Sequence, residues 1–298
     1  MSDDHTWITE VNEDAELGPR LKFGFRADRE LYRGQSDFQE VVVAEGPAYG
    51  RMLFLDGYMM TTERDEFVYH EMLSHTAVHV AKSRGPVRRV LIIGGGDGGL
   101  AREVLRHDSV EHVDMVEIDA AVIEVSKEYL PTIGSAFDDP RLNVLAEDGN
   151  AFIHNAEPGT YDVILIDSAD PVGPGIVLFQ PPFYTAVRNA LTPHGVMAAQ
   201  GMSPWLQRDG QRFMFGNLGE VFGQVHAFVA TIPTYPGGQW TFALCAAGQV
   251  DPHGIDDAAA DAATAGSHYY TAAVHHGAFA LPPFIRENTV DVALARRG

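Results

Sequence analysis

The chain has 298 residues, of which 45% are hydrophobic and 21% are charged, which excludes a disordered or fibrous protein and suits one large or two unequal domains. Lysine and arginine total 21 against 41 acidic residues, so the formal charge of -20 disfavours a nucleic-acid partner and favours small cations, although acidity can also serve solubility alone. No apolar run reaches the ~18 residues needed to cross a membrane, so no membrane partner is predicted.

Residues 1–62 are predicted to form a small domain of β-strands. Its short, partly alternating segments lie at 20–25, 30–34, 38–45 and 51–55. Thr62 is a suitable N-cap for a helix that we expect to pass through Tyr69 towards Lys82, before Gly85 and Pro86 end it.

Residues 63–298 are predicted to form a large α/β domain. Apolar runs, unbroken except at Asp114 and Asn143 and typical of strands buried on both faces, lie at 90–93, 113–116, 142–145, 163–166, 196–199, 227–230 and 242–245. Helical stretches such as 100–107 and 120–129 separate them, and this alternation indicates an open, doubly wound, mostly parallel sheet of seven strands. The segment 256–265 is compatible with either a helix or a mobile loop.

A glycine loop, Gly94–Gly99, follows the first of these strands and opens a helix. Glycines such as Gly94 and Gly96 let the backbone approach a nucleotide-type ligand closely. Asp97 inside the loop would repel a pyrophosphate, so it suits a ligand that carries a cation.

Acidic residues follow the next two strands. Glu117 can accept hydrogen bonds from both ribose hydroxyls, in a dinucleotide or an S-adenosyl ligand alike, and Asp148, followed by Gly149, can accept from an adenine amino group. Since parallel strands end at one edge of a sheet, we expect these acids to lie together there.

The fourth predicted strand ends in two carboxylates, Asp167 and Asp170, followed by prolines up to Pro174. Such a pair can bind an ammonium group and accept a proton, and prolines stiffen the loop and can hold it against an adenine ring. An ordinary Asp-Pro turn at a strand end is the structural alternative.

Other features limit the site chemistry and the compartment. The histidines are scattered without the spacing of a ligand cluster, so no metal site is predicted. Cys245 is the only cysteine, which precludes an intrachain disulfide, and the polar, acidic start does not resemble a signal peptide. A reducing, cytoplasmic location is therefore expected.

Together these motifs resemble the polyamine aminopropyltransferases, the spermidine synthase family. The resemblance extends roughly from Trp7 to Ile285. It is carried by the segments 55–57, 62–72, 94–99, 116–119, 167–174, 232–238, 269–270 and 274–282. It implies a Rossmann-like fold of the S-adenosylmethionine methyltransferase type, and a homodimer or homotetramer built through the N-terminal domain.

The resemblance also implies a reaction. An amine such as putrescine attacks the propylamine arm of decarboxylated S-adenosylmethionine, giving spermidine and methylthioadenosine without a prosthetic group. Because an amine of pKa ~10 arrives protonated, a base is needed. Asp167 matches the family's base, Asp170 its amine-binding partner, and Tyr69 and Tyr235 its positioning tyrosines.

The resemblance assigns further residues to the co-substrate. Gln39, His70 and Asp97 match positions that hold the arm, Glu117 matches the ribose ligand and Asp148 the adenine ligand. The carboxylate of Asp97 would pair with the terminal amine of the decarboxylated arm and would repel the carboxylate of intact S-adenosylmethionine.

Positions on the acceptor side depart from the family pattern. Met60, Ile176 with Val177, and Met202 stand where polar groups are usual, so a shared pocket would be more apolar than a putrescine site. Under ordinary family variation, water or Trp7 and Glu10 would bind the far amine instead.

Three alternatives to aminopropyl transfer stay open at this point. An amine N-methyltransferase or another enzyme of this fold would use intact S-adenosylmethionine. A nicotinamide-dependent oxidoreductase would use the same glycine loop. A non-catalytic binding protein would not depend on Asp167.

Overall fold

The computed structural model describes residues 6–10, 21–171 and 173–296. The acidic start at 1–5 and Val172 in the proline loop lie outside the described residues. The N-terminal strands are β1 (Thr6–Thr9), β2 (Gly24–Ala27), β3 (Arg29–Gln35), β4 (Glu40–Gly46), β5 (Gly50–Leu55) and β6 (Tyr58–Thr62). β1 pairs with β2, and β3 to β6 form an antiparallel sheet in chain order. Of the segment predicted at 20–25, Arg20 lies outside the described residues, residues 21–23 form no strand, and β2 begins at Gly24.

The larger sheet contains seven strands, as predicted. They are β7 (Arg89–Gly94), β8 (His112–Glu117), β9 (Leu142–Ala146), β10 (Tyr161–Asp167), β11 (Leu191–Gln200), β12 (Val225–Thr231) and β13 (Gln239–Ala246). Their order is β12-β13-β11-β10-β7-β8-β9, and β13 is the strand antiparallel to its neighbours. The chain order reverses between β7 and β10, where open α/β sheets bind their ligands.

Helices cover both faces of this sheet. They are α1 (Glu66–Lys82), α2 (Gly99–Leu105), α3 (Ala120–Tyr129), α4 (Gly149–Asn155), α5 (Pro181–Ala190), α6 (Arg208–Phe222), α7 (Asp257–Ala263), α8 (Ala272–Ala278), α9 (Pro283–Asn288) and α10 (Val290–Ala295). A 3-10 helix spans Gly173–Phe179. The alternatives for 256–265 are decided by α7, whose N-cap Asp256 accepts a hydrogen bond from the backbone N–H of Ala259.

The prediction that Thr62 caps the first helix was wrong. Thr62 is the last residue of β6, and Asp65 stands at the N-cap position of α1. The Thr62 hydroxyl donates to Asp65 Oδ1 at 2.8 Å, so it serves the turn before the helix. The helix ends at Lys82, as predicted.

Strand β7 is buried on both faces, which explains why residues 90–93 are all apolar. Val90 and Ile92 pack on the side of the sheet covered by α1, whereas Leu91 and Ile93 pack on the side covered by α5 and α6. Successive side chains of a strand point to opposite faces, so a strand covered on both faces needs apolar residues at every position.

The N-terminal sheet packs on the α/β domain through one of its faces. Val41 and Val43 of β4 contact Val122 and Val125 of α3, while Val42 faces the opposite side. This contact brings the turn before β4 to the ligand-binding edge of the large sheet. No helix in the described part of the chain is long and apolar enough to span a membrane.

Candidate active site

The glycine loop turns sharply against the end of β10. Gly94, Gly95 and Gly98 have φ values of 85°, 71° and 82°, in the left-handed region that favours glycine. A Cβ atom on Gly94 would lie 2.1 Å from the backbone oxygen of Asp167, so this close approach requires glycine. A Cβ atom on Gly96 would lie 2.9 Å from Glu117 Cγ, which places that glycine beside the predicted ribose ligand.

Asp97 of the loop is paired with His70 of α1. His70 Nε2 lies 3.2 Å from Asp97 Oδ2, and the N–H of Gly99 donates to Asp97 Oδ1 at 2.8 Å. Burial alone would lower the pKa of His70, but the carboxylates of Asp97 and Glu66 raise it to about 10. Burial raises the pKa of Asp97, but His70, the N–H of Gly99 and Arg102 together lower it below the usual value. The pair is therefore an imidazolium beside a carboxylate.

Glu66 and Arg102 support this pair from behind. Glu66 Oε2 lies 2.5 Å from His70 Nδ1, and the Arg102 guanidinium donates to both oxygens of Glu66 at 3.0 and 2.8 Å. With both ring nitrogens facing carboxylates, the His70 ring is held in its orientation. Sequence reasoning missed Glu66 and Arg102, although the spacing of Glu66 and His70 places both on one face of α1.

Asp167 ends β10 and accepts a hydrogen bond from the hydroxyl of Tyr69. Burial raises its pKa to about 6, the charge of Asp97 adds to the rise, and His70 and the Tyr69 hydroxyl oppose it. A carboxylate with a raised pKa in a partly buried site is a better proton acceptor than an exposed one.

Tyr235 is the second tyrosine beside Asp167. Its ring lies perpendicular to that of Tyr69, with 6.0 Å between ring centroids, and its hydroxyl donates to the backbone oxygen of Met60 at 2.7 Å. Asp65 holds the preceding residue, because its carboxylate accepts from the N–H and the hydroxyl of Thr234 at 2.8 and 2.5 Å. Sequence reasoning missed this contact, which joins the start of α1 to the loop of Tyr235.

Glu117 and Asp119 lie at the carboxyl end of β8. Burial raises the pKa of Glu117 to about 7, and the charges of Asp119 and Asp167 add to the rise. Asp119 Oδ2 accepts from the hydroxyl of Ser36 at 2.7 Å and from the amide of Gln39 at 3.0 Å. The predicted arm-binding residue Gln39 thus links the N-terminal domain to this edge of the sheet.

Asp148 lies further along the same edge, after β9. Its side chain is exposed and caps α4, accepting from the N–H of Asn150 at 2.8 Å. Gly149 begins α4 and is buried. Both residues therefore stand where the strand ends, as their predicted role beside an adenine ring requires.

The residues predicted on the acceptor side have different surroundings. Met202 is 1% exposed and packs in the core under α6, whereas Met60 packs on the cluster between the N-terminal sheet and α3. Ile176 is 37% and Trp7 64% exposed. Pro174 lies in the 3-10 helix, and its side chain is outside the described part. These apolar residues therefore do not form one contiguous cluster.

Glu10 lies close enough to Asp170 for the two carboxyl groups to interact electrostatically. Burial raises the pKa of Glu10 to about 8, and Asp170 contributes to this rise. Glu10 Oε1 accepts from the N–H of Met59 at 3.4 Å, whereas Glu10 Oε2 is buried and has no hydrogen-bond partner among the described residues. A buried, unpaired carboxylate oxygen favours the binding of a cation.

A glycine loop and acids at the carboxyl edge of an open seven-stranded sheet define an α/β protein that binds a nucleotide-type ligand. The buried acid beside two tyrosines adds the groups of an enzyme that removes a proton. No group of three or more metal-ligating side chains is found in the part of the chain that the structure describes.

Comparison with known proteins identifies the family. The sequence model of the spermine/spermidine synthase domain matches residues 66–252, and that of the spermidine synthase tetramerisation domain matches residues 6–63. The chain therefore belongs to the spermine/spermidine synthase family, and the resemblance seen in the sequence is confirmed.

Individual relatives cover nearly the whole chain. Spermidine synthase 2 of Arabidopsis thaliana is 40% identical over 94% of this chain and 83% of its own length. A polyamine aminopropyltransferase of Moorella thermoacetica is 41% identical over 94% of this chain and 95% of its own length. A crystal structure of spermidine synthase in complex with the transition state analogue AdoDATO superposes with a TM-score of 0.90 at 36% identity, covering 96% of this chain and 95% of that one. The predicted fold class is confirmed.

Proposed function

We propose that this protein transfers the aminopropyl group of decarboxylated S-adenosylmethionine to an amine, putrescine or a related diamine, and releases methylthioadenosine. The observation that carries the proposal is the juxtaposition of two buried carboxylates, each with its own hydrogen-bonding partner. The His70–Asp97 pair lies in the glycine loop, and the Tyr69–Asp167 pair lies at the neighbouring strand end.

The two pairs fit the two partners of the reaction. Asp97 would hold the ammonium of the propylamine arm, and Glu117 and Asp148 would hold the ribose and the adenine. Gln39, Gly94, Gly96, Gly149 and Pro174 would complete the co-substrate site. Asp170 would bind the acceptor amine beside Asp167, between Tyr69 and Tyr235.

The transfer itself then requires one proton acceptor. Asp167 removes a proton from the attacking ammonium, and the freed nitrogen lone pair forms a bond to the methylene carbon attached to sulfur. The carbon–sulfur bond breaks with its electron pair going to sulfur. The positive sulfonium thus leaves as the neutral thioether of methylthioadenosine.

The far ammonium of a diamine needs a second anionic partner. Glu10 supplies it in this proposal, with Trp7 beside it, because the Glu10 carboxylate has an unpaired buried oxygen and lies near Asp170. Met60 and Ile176 would contribute only apolar surface near the acceptor, whereas Met202 is buried in the core under α6.

The test is an assay of the purified protein with decarboxylated S-adenosylmethionine and putrescine. We expect equal amounts of methylthioadenosine and spermidine, and a fall in kcat of roughly 10² to 10⁴ in Asp167→Asn with methylthioadenosine binding retained. No product with any diamine would contradict the proposal. Calorimetric titration separates it from N-methyl transfer, since preference for intact S-adenosylmethionine would favour the methyltransferase.

We also propose the boundaries 1–62 and 63–298 for the two domains, assembly as a homodimer or homotetramer through the first, and a cytoplasmic location. The match of residues 6–63 to a tetramerisation domain supports the assembly. Cys245, buried and free, is compatible with a reducing compartment.

A further inference from the structure

The carboxylate of Asp170 accepts hydrogen bonds from two glutamine side chains. Gln207 Nε2 donates to Asp170 Oδ2, and Gln200 Nε2 donates to Asp170 Oδ1 at 3.3 Å. Gln200 ends β11 and Gln207 stands just before α6, so two elements meet on this one acid. Each oxygen therefore has its own amide donor.

The backbone decides which end of each amide faces Asp170. Gln200 Oε1 accepts from the N–H of Met202 at 3.0 Å, and Gln207 Oε1 accepts from the N–H of Ser203 at 2.9 Å. With each carbonyl oxygen directed at a backbone donor, each NH₂ group points at the carboxylate, and that of Gln200 donates to the backbone oxygen of Ser168 as well, at 3.2 Å. Met202, at a φ of 66°, supplies the tight turn that presents these two N–H groups.

The chemical nature of the donors matters for a site that binds a cation. An amide N–H orients a carboxylate and stabilises its ionised form but carries no charge. An arginine or lysine in the same place would orient the carboxylate and also neutralise it. The two glutamines thus hold Asp170 in one direction and add no charge of their own.

We propose that Gln207, supported by Gln200, is a positioning residue that directs Asp170 at the ammonium group of the acceptor amine. The proposal rests on the proposed function, in which Asp170 binds the acceptor. According to this proposal, the neutral amide of Gln207 affects the binding of the acceptor amine but does not affect the binding of the S-adenosyl co-substrate.

Two variants separate orientation from charge. Gln207→Met has nearly the same size but donates no hydrogen bond, whereas Gln207→Lys can donate to Asp170 but adds a positive charge beside the incoming ammonium. KM values for putrescine and for decarboxylated S-adenosylmethionine are measured for both. Gln224→Met is the matched control, because Gln224 bonds to Val250 at the opposite edge of the sheet.

We expect the putrescine KM to rise about tenfold in Gln207→Met and further in Gln207→Lys, with the co-substrate KM within twofold of wild type. The control should leave both KM values within twofold. Folding is checked by calorimetric binding of methylthioadenosine. If Gln207→Met does not bind it, Gln207→Ala, which adds no bulk, is assayed with the same expectation.

A putrescine KM within twofold of wild type in Gln207→Met would overturn the proposal. So would an equal rise in both KM values, or a lysine variant that binds putrescine as well as the methionine variant. All three results would be obtained with an active wild-type enzyme, so they would leave the proposed function intact. If the wild-type protein released no methylthioadenosine, both the proposed function and this proposal would be overturned.

Discussion

His70 Nε2 lies 3.2 Å from Asp97 Oδ2, and this contact joins the first helix of the α/β domain to its glycine loop. The imidazolium keeps Asp97 ionised in a buried position where a lone carboxylate would tend to protonate. One oxygen of Asp97 is held by the N–H of Gly99 and the other by the ring, so the carboxylate has a defined direction.

Asp97→Asn should weaken the binding of decarboxylated S-adenosylmethionine at least tenfold, because the amide cannot pair with the terminal ammonium. Methylthioadenosine lacks that ammonium, so its affinity should stay within twofold. Calorimetric titration of both ligands checks this. Asp291→Asn, an exposed acid paired with Arg286, is the control, and equal weakening of the two ligands would contradict the role of Asp97.

The reaction rate should fall as the pH drops below about 6, since Asp167 must be ionised to accept a proton and its pKa is raised to about 6. Tyr69→Phe removes a hydrogen bond to the carboxylate form, so the pKa of Asp167 should rise and the acidic limb should move to higher pH. The pH profiles of kcat for the two proteins check this. An unmoved limb in Tyr69→Phe would show that another group controls it.

Acceptor affinity should increase as the pH rises towards 8, because the pKa of Glu10 is raised to about 8 and an ammonium binds only its ionised form. Glu10→Gln should raise the putrescine KM about tenfold and remove that pH dependence, with the co-substrate KM unchanged. Steady-state kinetics from roughly pH 6.5 to roughly pH 8.5, a range that includes the raised pKa of Glu10, measure both effects. A wild-type pH slope retained in Glu10→Gln would exclude Glu10 as its source.

Thr234→Val should lower both stability and kcat. The variant removes one of the donors on the buried carboxylate of Asp65, which costs about 1–3 kcal/mol of the free energy of unfolding and loosens the loop that carries Tyr235. Urea unfolding and kcat measure the two effects. Thr234→Ser retains the hydroxyl and should restore both, and a serine variant as impaired as the valine variant would point to packing instead.

The free energy of unfolding should decrease as the pH falls below 6.5, the ordinary pKa of histidine. Burial above all, together with the neighbouring His75, Lys82 and His275, lowers the pKa of His79 to about 3, so the folded protein holds this ring neutral. The stabilisation is complete above pH 6.5 and is lost as the unfolded chain takes up the proton.

His79→Phe keeps a ring stacked on Tyr270 but removes this titration. Its melting temperature should therefore vary less between pH 6.5 and pH 5 than that of wild type, roughly the range over which an unfolded histidine becomes protonated. His154→Gln, at an exposed position, is the control and should follow the wild-type curve. A His79→Phe curve parallel to wild type would assign the acid sensitivity to other groups.

The strands and the glycine loop that determine the architecture depend on short sequence segments, so they could be predicted from the sequence. The apolar runs form strands because a strand covered on both faces is apolar at every position, as Val90 to Ile93 show. Asp114 and Asn143, which bond to each other, interrupt the pattern in β8 and β9. The acids after β7, β8, β9 and β10 lie along one edge of the sheet because parallel strands end at a common edge. The glycine loop follows from its need for positive φ values, which local sequence reveals.

Tertiary structure alone decided which groups surround these acids. Thr62 appeared to be a helix cap, but Asp65 takes that position and bonds to Thr234, 169 residues away. Likewise Gln207 reaches Asp170 across 37 residues, and its amide direction depends on the N–H of Ser203. Strand formation depends on the nearest residues in the chain. Protonation and side-chain direction depend on burial and on partners distant in sequence, so they are settled only when the chain has folded.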